Sequence, residues 1–210
     1  MAQTTVDKSF KAFGTRDEKD VLAVIRDPAT DIQFIRLIFP DILGRQMDFT
    51  IPSSELAAAF KEGKGFDGSS IAGFVRIEES DLVFKPDPRT FRVLPWIYQG
   101  FAEGVSWREA VMFGDILTPD GSTYEGDSRA ILKRVLGRAK RELGIDDFKC
   151  GPELEFFIFP SSEAPALTDV GGYFFTGRYG EIRKEIQLLL HRMGIATEYD
   201  HHEAAHSQHE

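Results

Sequence analysis

The sequence has a single cysteine, Cys150, and no long apolar run. One thiol excludes an intrachain disulfide and is typical of a protein from a reducing compartment. A membrane-spanning helix needs roughly 20 consecutive apolar residues, and no segment approaches that length. The first eleven residues also lack the apolar core of a secretory signal. We therefore expect a cytoplasmic protein that does not enter a membrane.

Positive charge is also scarce, because 25 lysines and arginines face 34 aspartates and glutamates, for a net charge of −9. This balance argues against generic binding to nucleic-acid phosphate or to an anionic membrane surface. With 42% hydrophobic residues and 18 phenylalanines, the composition is that of a globular protein long enough to bury a core. Acidic clusters within sites would instead require cations or cationic substrates.

The hydrophobic pattern predicts a short flexible lead (residues 1–16) and then a small α+β domain over residues 17–118. An amphipathic helix is predicted at Arg16–Arg26, and a Ser-capped helix starting within residues 52–55 is predicted to run through Phe60. Alternating β-branched and aromatic residues predict the strands. These are Ile32–Phe39, its hairpin partner Gln46–Ile51, Leu82–Phe84, Phe91–Trp96 and Val111–Leu117.

A second unit is predicted over residues 122–210. Asp127 is predicted to cap a helix at Ser128–Leu143, and Gly144 to end it. One face of that helix is apolar, with Ile131, Leu132, Val135, Leu136 and Ala139. The pattern then predicts a strand at Lys149–Phe159, a helix at Glu181–Met193 and a further strand from Ile195 onward.

Two glutamates, Glu153 and Glu155, are two residues apart on the predicted strand, so their side chains should share one face. Like charges on a buried face are costly unless a hard cation such as Mg²⁺ or Mn²⁺ neutralises them. Taken alone, the pair is more typical of an exposed, solvated acidic surface.

Residues 201–210 are rich in possible metal ligands. Glu203 and Glu210 are seven apart, which would place them on opposite faces of an uninterrupted strand. A bulge or loop must therefore intervene if both bind one cation. Imidazoles could instead bind Zn²⁺ or Ni²⁺, and the candidates are His201, His202, His206 and His209. An appended purification tag is a weaker interpretation, since the histidines are interrupted.

The third feature is the glycine-rich segment from Gly63 to Phe74. It is not a phosphate-binding loop, because no Lys-Ser or Lys-Thr pair ends it. Its glycines permit tight turns and close approach to another chain. The segment is either a surface loop or a binding loop that presents Asp67 and Ser70.

Together these motifs resemble those of class I glutamine synthetases. The resemblance covers the chain from about Asp17 to Glu210. It rests on five segments in the family's order: Phe66–Ile71, Arg76–Asp81, Gly151–Phe157, Gly171–Phe174 and His201–Glu210.

The resemblance implies an N-terminal β-grasp domain followed by an incomplete catalytic α/β domain. It also implies metal ligands for two divalent-cation positions, filled by Mg²⁺ or Mn²⁺. Glu155, Glu203 and Glu210 would hold the cation that organises glutamate and the attacking nitrogen. Glu153 would hold the cation that bridges the phosphates of ATP.

The resemblance further implies roles for residues outside the metal positions. Asp67 would reach the active site of a neighbouring subunit and help to deprotonate ammonium, while Ser70 would support its loop. Tyr173 would line the ammonium pocket. Arg76 resembles an arginine used in feedback inhibition by glutamine, although it could equally be a surface arginine paired with a neighbouring glutamate.

The implied reaction is ATP-dependent ligation of ammonium to glutamate through a γ-glutamyl phosphate, in a ring-type homo-oligomer. The family's sequences continue beyond Glu210 with further ligands, so we expect this chain to be a fragment that is inactive alone. Three alternatives stay open. They are a γ-glutamyl–amine ligase of the same family, a non-catalytic truncated scaffold, and a histidine-based zinc protein.

Overall fold

The computed structural model describes residues 17–69, 71, 80–163 and 166–210. The predicted flexible lead at residues 1–16, and also Ser70 and Arg76, lie outside the described residues. The chain divides into two compact units, whose described parts are residues 17–148 and 149–210. The predicted domain boundaries at residues 118 and 122 stay a prediction.

The first unit has a mixed sheet with helices packed against it. In chain order its elements are α1 (Glu18–Arg26), β1 (Ile32–Pro40), β2 (Gln46–Pro52), α2 (Leu56–Glu62), β3 (Lys64–Asp67), β4 (Asp81–Pro86), β5 (Arg92–Val93), β6 (Tyr98–Gln99), β7 (Ser106–Leu117) and α3 (Ser128–Leu143). The predicted first helix, the hairpin of β1 and β2, and the strands at β4 and β7 are confirmed.

The order of the main strands is β2-β1-β7-β4-β3, with the short β5 and β6 paired to β7. β1 runs parallel to β7, and the pairs β1–β2, β4–β7 and β3–β4 are antiparallel. The centre of the sheet bears fully buried apolar side chains, because they pack in one cluster with Val21 of α1 and with Leu56 and Phe60 of α2. The core includes Ile35, Leu37, Phe84, Phe91, Met112 and Ile116.

Two local predictions in this unit are wrong. Residues Ser53–Glu55 form a 3₁₀ turn, and α2 begins at Leu56 without a side-chain cap, so the serine cap is absent. Of the strand predicted at Phe91–Trp96, only Arg92–Val93 pairs with β7. A strand needs a hydrogen-bonded neighbour, and an apolar pattern does not reveal how far that neighbour extends.

The capping of α3 is confirmed. Asp127 is 1% exposed, and its carboxylate accepts hydrogen bonds from the backbone N–H groups of Arg129 (3.1 Å), Ala130 (3.2 Å) and Ile116 (3.3 Å). Burial raises the pKa of the Asp127 carboxyl above its ordinary value, although these hydrogen bonds oppose the shift. Gly144 ends the helix in the left-handed conformation, at φ +68°.

We expect Asp127→Ala to lower the free energy of unfolding of the first unit by about 1–2 kcal/mol. The substitution leaves N–H groups of α3 and of β7 without their acceptor. Asp127→Asn should remain within about 0.5 kcal/mol of the wild type, because its carbonyl still accepts at the N-cap. Urea unfolding followed by fluorescence measures both, and equal losses in the two variants would contradict the capping role.

The apolar face predicted for α3 exists, but it is open to solvent in the part of the chain that the structure describes. Val135 and Leu132 are each 58% exposed, Ile131 is 43% exposed and Leu136 is 42% exposed. The helix is therefore anchored by its N-terminal end rather than by this face.

A charged cluster at the start of α3 fixes the helix to the sheet. Arg129 donates to Asp87 (2.7 Å) and to Asp115 (3.0 Å), and Asp87 also accepts from Arg89. Burial would raise the pKa of Asp87, but the hydrogen bonds and charge of Arg89 and the charge of Arg129 outweigh burial and lower it. Folding therefore favours the ionised form of Asp87, and the ion pairs of Asp87 stabilise the folded state at neutral pH. That stabilisation is lost only as pH falls below 3.8 and through the lowered pKa of Asp87.

We expect Arg129→Met to destabilise the first unit by about 1–3 kcal/mol at pH 7, because the nearly buried Asp87 loses a charged donor. The difference from wild type should persist to about pH 5 and shrink only where Asp87 becomes protonated. Lys133→Met is the matched control, since Lys133 pairs with Asp115 but its side chain is 49% exposed. Urea unfolding at several pH values measures both, and a pH-independent loss would contradict the ion-pair assignment.

The second unit contains β8 (Phe156–Phe157), α4 (Gly180–Arg192) and β9 (Gln208–His209), with β8 antiparallel to β9. The helix is as predicted, but both long strands are wrong. Residues 149–155 have no strand partner in the described part of the chain, and residues 195–207 contain only an isolated bridge at His202. No helix among the described residues is long and apolar enough to span a bilayer.

Candidate metal centre

The segment His201–Glu210 folds into a hairpin. The backbone groups of His201 and Glu210 exchange two hydrogen bonds (3.1 and 3.0 Å), and the N–H of Glu203 donates to the carbonyl of Gln208 (2.9 Å). Ser207, near the end of the turn, has a φ of +58°. The turn reverses the chain between Glu203 and Glu210, and it is the kind of interruption that binding of one cation by both residues would require.

Alternation along the two strands of the hairpin separates its side chains onto two faces. His201 pairs with Glu210 and Glu203 with Gln208, whereas His202 bridges to His209. The first face, here called the cation face, bears His201, Glu203, Gln208 and Glu210. The second, here called the inner face, bears His202 and His209.

On the cation face, an imidazole lies between two carboxylates. His201 Nε2 is 2.8 Å from Glu210 Oε2, and His201 Nδ1 is 3.4 Å from Glu203 Oε1. One ligand atom from each residue lies within 4.8 Å of the others. Two carboxylates and an imidazole form a donor set that suits Mn²⁺ and also accommodates Mg²⁺ through the carboxylates.

The electrostatics of Glu210 show repulsion between acidic groups. Burial raises the pKa of the Glu210 carboxyl, His201 opposes the shift, and the charges of Glu153 and Glu203 raise it further. A divalent cation between Glu203 and Glu210 would remove this repulsion and favour both ionised forms. The donor set therefore fits a divalent cation.

The two glutamates of the 151–157 motif are placed differently from the prediction. Both precede β8 and are exposed, so the prediction that they share a strand face is wrong. Glu155 nevertheless accepts a hydrogen bond from the side chain of Gln208, on the cation face. Glu153 is close enough for its charge to raise the pKa values of Glu210 and Tyr173.

Aromatic rings border the cation face. The Tyr173 and Phe174 ring centroids lie 4.9 and 4.8 Å from that of His201, and Tyr199 stacks on His201 at 5.8 Å. The phenol of Tyr173 has a raised pKa, because burial and then the charge of Glu203 disfavour the phenolate. Tyr173 thus keeps its proton beside the carboxylates.

The inner face contacts residues that sequence reasoning missed. Asp169 (2% exposed) lies near both imidazoles, and Arg183 from α4 (7% exposed) contacts His209. Burial lowers the pKa of His209, and the charge of Arg183 lowers it further. Neither Asp169 nor Arg183 belongs to a spacing pattern that could have predicted this contact.

The remaining sequence candidates do not join this cluster. His206 is exposed in the turn, so the four histidines form no common zinc site among the described residues. Asp67 ends β3 in the first unit, where it is exposed and accepts a hydrogen bond from the N–H of Ser69 (2.8 Å). Hydrogen bonds from the side chain and backbone of Ser69 lower the pKa of Asp67.

Fold and site together define an α+β protein with a candidate carboxylate–histidine metal centre. The sequence profile of the glutamine synthetase β-grasp domain matches residues 31–119, and that of the glutamine synthetase catalytic domain matches residues 125–210. The chain belongs to the glutamine synthetase family, with a β-grasp domain followed by part of a catalytic domain.

Named relatives agree with this assignment. The chain is 41% identical to the glutamine synthetase of Methanosarcina mazei over 92% of its own length and 42% of the relative. It is 42% identical to that of Halobacterium salinarum over 99% of its own length and 45% of the relative. The chain thus spans less than half the length of these relatives.

A solved structure supports the fold. The cryo-EM structure of Plasmodium falciparum glutamine synthetase superposes with a TM-score of 0.69 at 21% identity, over 95% of this chain and 44% of that chain.

Proposed function

We propose that the protein containing these 210 residues ligates ammonium to glutamate at the expense of ATP, through a γ-glutamyl phosphate. One observation supports this most strongly: Glu203, Glu210 and His201 converge on one face of a hairpin in a chain of this family. Phosphoryl transfer from ATP uses divalent cations to neutralise charge, and a face of this kind supplies carboxylates that could hold them.

The carboxylates of the second unit hold the cations in this proposal. Glu203 and Glu210 bind one divalent cation, and Glu155, already bonded to Gln208, completes that set. Glu153 serves a second position on the side of ATP. When bound, Mg²⁺ or Mn²⁺ neutralises negative charge on the transferring phosphoryl group.

Residues of both units select the nucleophile in this proposal. Tyr173 stays protonated beside Glu203 and Glu210, so it offers a hydroxyl rather than a competing charge. Asp67 has a lowered pKa and is therefore ionised, and a negative charge favours binding of ammonium. In this proposal Asp67 also accepts the proton that ammonium loses. For Ser70 and Arg76, which lie outside the described residues, we propose the roles that the family resemblance implies: support of the Asp67 loop for Ser70 and inhibition by glutamine for Arg76.

Asp67 belongs to the first unit and the metal ligands to the second. We propose that active sites form between subunits of a ring-type homo-oligomer in the cytoplasm, where Asp67 of one subunit completes the site of another. Because the chain spans less than half the length of its relatives, we also propose that it makes no glutamine alone.

The test supplies the native-length protein, isolated from its source, with glutamate, ATP, Mg²⁺ and either ¹⁵N-ammonium or methylamine. We expect ¹⁵N-glutamine and ADP in equal amounts, and no product from the 210-residue chain alone. Product from methylamine only would identify a γ-glutamyl–amine ligase. Cation binding without ADP release would identify a non-catalytic scaffold and overturn the proposal.

A further inference from the structure

The inner face of the hairpin is a buried polar cluster that the proposed reaction does not use. His202 and His209 are both 0% exposed, and their ring centroids lie 4.9 Å apart. The Nε2 atoms of His202 and His209 lie 3.7 and 3.8 Å from Asp169 Oδ2. Within the described residues, neither of these two Nε2 atoms has a hydrogen-bond partner. Two imidazoles aimed at one carboxylate would at first indicate a second metal site.

Arg183 argues against a metal at this position. Its Nη1 is 2.8 Å from His209 Nδ1, and a guanidinium only donates hydrogen bonds, so His209 Nδ1 must be the acceptor. Neutral His209 then has its proton on Nε2, and that atom has no lone pair for a cation. His202 differs in this respect, because its Nδ1 donates to the carbonyl of Glu203 (2.6 Å) and therefore bears a proton.

The same cluster is bonded to the turn of the hairpin. The N–H of Ser207 donates to the carbonyl of Asp169 (2.8 Å), and the N–H of Asp169 donates to Ser207 Oγ (3.0 Å). The carboxylate of Asp169 is in turn held by the N–H of Arg178 (2.9 and 3.0 Å). Arg183 is oriented by Asp200, which accepts from its Nε at 2.5 Å.

We propose that Arg183 and Asp169 are positioning residues: they hold His209, His202 and Ser207 so that the hairpin register places Glu203 and Glu210 around one cation. Because the two faces share one backbone, a slip on the inner face moves the carboxylates of the cation face. Such outer contacts typically change metal affinity 10- to 100-fold. The consequence for the cation rests on the proposed function, whereas the register itself does not.

The first test is ¹⁵N NMR of the histidine rings in the 210-residue chain at neutral pH. We expect His209 protonated at Nε2 and His202 protonated at Nδ1, with both signals unchanged when Zn²⁺ is added. A His209 ring protonated at Nδ1 would overturn the proposal, because Nδ1 could not then accept from Arg183. Zn²⁺-dependent shifts of both Nε2 atoms would also overturn it and would make the inner face a metal site.

The second test compares His209→Phe, which keeps the ring but removes the acceptor, with His209→Asn, whose carbonyl replaces Nδ1. We expect hydrogen-exchange protection of the His201 and Glu210 amides to fall at least about tenfold in H209F, and the Mn²⁺ dissociation constant to rise about tenfold. H209N should stay within about threefold of the wild type. Amides of α4 report whether the unit stays folded.

The matched control is Lys184→Met, an exposed residue of α4 that pairs with Glu181 and should change neither quantity. Unchanged protection and Mn²⁺ affinity in H209F would overturn the positioning role while leaving the proposed function intact. If H209F lost hydrogen-exchange protection while the wild-type chain bound no Mn²⁺, the register role would be supported. The same result would count against the proposed function.

Discussion

Glu210→Gln is expected to weaken Mn²⁺ binding to the hairpin by at least about 100-fold, since even outer contacts of a metal site cost 10- to 100-fold. Glutamine keeps the size of the side chain but removes a full negative charge, 2.8 Å from His201 Nε2 in the wild type. The carboxamide is a weaker ligand for a hard cation than a carboxylate. Isothermal titration with Mn²⁺ measures the change.

Glu198→Gln is the matched control, because Glu198 is an exposed glutamate of the same unit outside the cation face. The Glu198→Gln variant should bind Mn²⁺ with the same affinity as the wild type. If Glu210→Gln and Glu198→Gln bound Mn²⁺ equally well, Glu210 would not be a ligand.

Phe84→Ala should lower the free energy of unfolding of the first unit by about 3–5 kcal/mol. Phe84 is 0% exposed on β4, and its ring contacts Phe49 edge to face at 5.6 Å and Phe39 at 6.1 Å. The ring also covers Gly114, where an added Cβ would lie 2.3 Å from Phe84 Cζ. Truncation would leave a cavity that these neighbours cannot fill without moving the sheet.

Both tryptophans, Trp96 and Trp107, belong to the first unit, so their fluorescence during urea unfolding reports on Phe84→Ala. Phe101→Ala deletes the same ring from a fully exposed position, and should change the stability by less than about 0.5 kcal/mol. Similar losses in the two variants would contradict the assignment of Phe84 to the core.

Elements defined by local chemistry were predictable from the sequence. The cap at Asp127 and the end at Gly144 delimit α3, because both depend on residues next to the helix. The hairpin of β1 and β2 follows from alternation on each side of a short turn. The turn between Glu203 and Glu210 was predicted only on the condition that both bind one cation, because their odd spacing would otherwise place them on opposite faces of a strand.

Elements that depend on distant partners were not predictable. The strands expected at Lys149–Phe159 and from Ile195 onward shrink to Phe156–Phe157 and Gln208–His209, because pairing rather than pattern sets strand length. Likewise, nothing in the spacing of Asp169 or Arg183 indicates that both meet the inner face of the hairpin. Such contacts arise only when the chain folds back on itself.

Anomalous X-ray scattering from Mn²⁺ in crystals of this chain is the most direct test of the proposed cation site. That site predicts one peak on the cation face, within bonding distance of Glu203 and Glu210, and none on the inner face. A peak bound by Asp169, His202 and His209, or no peak near the hairpin, would contradict it.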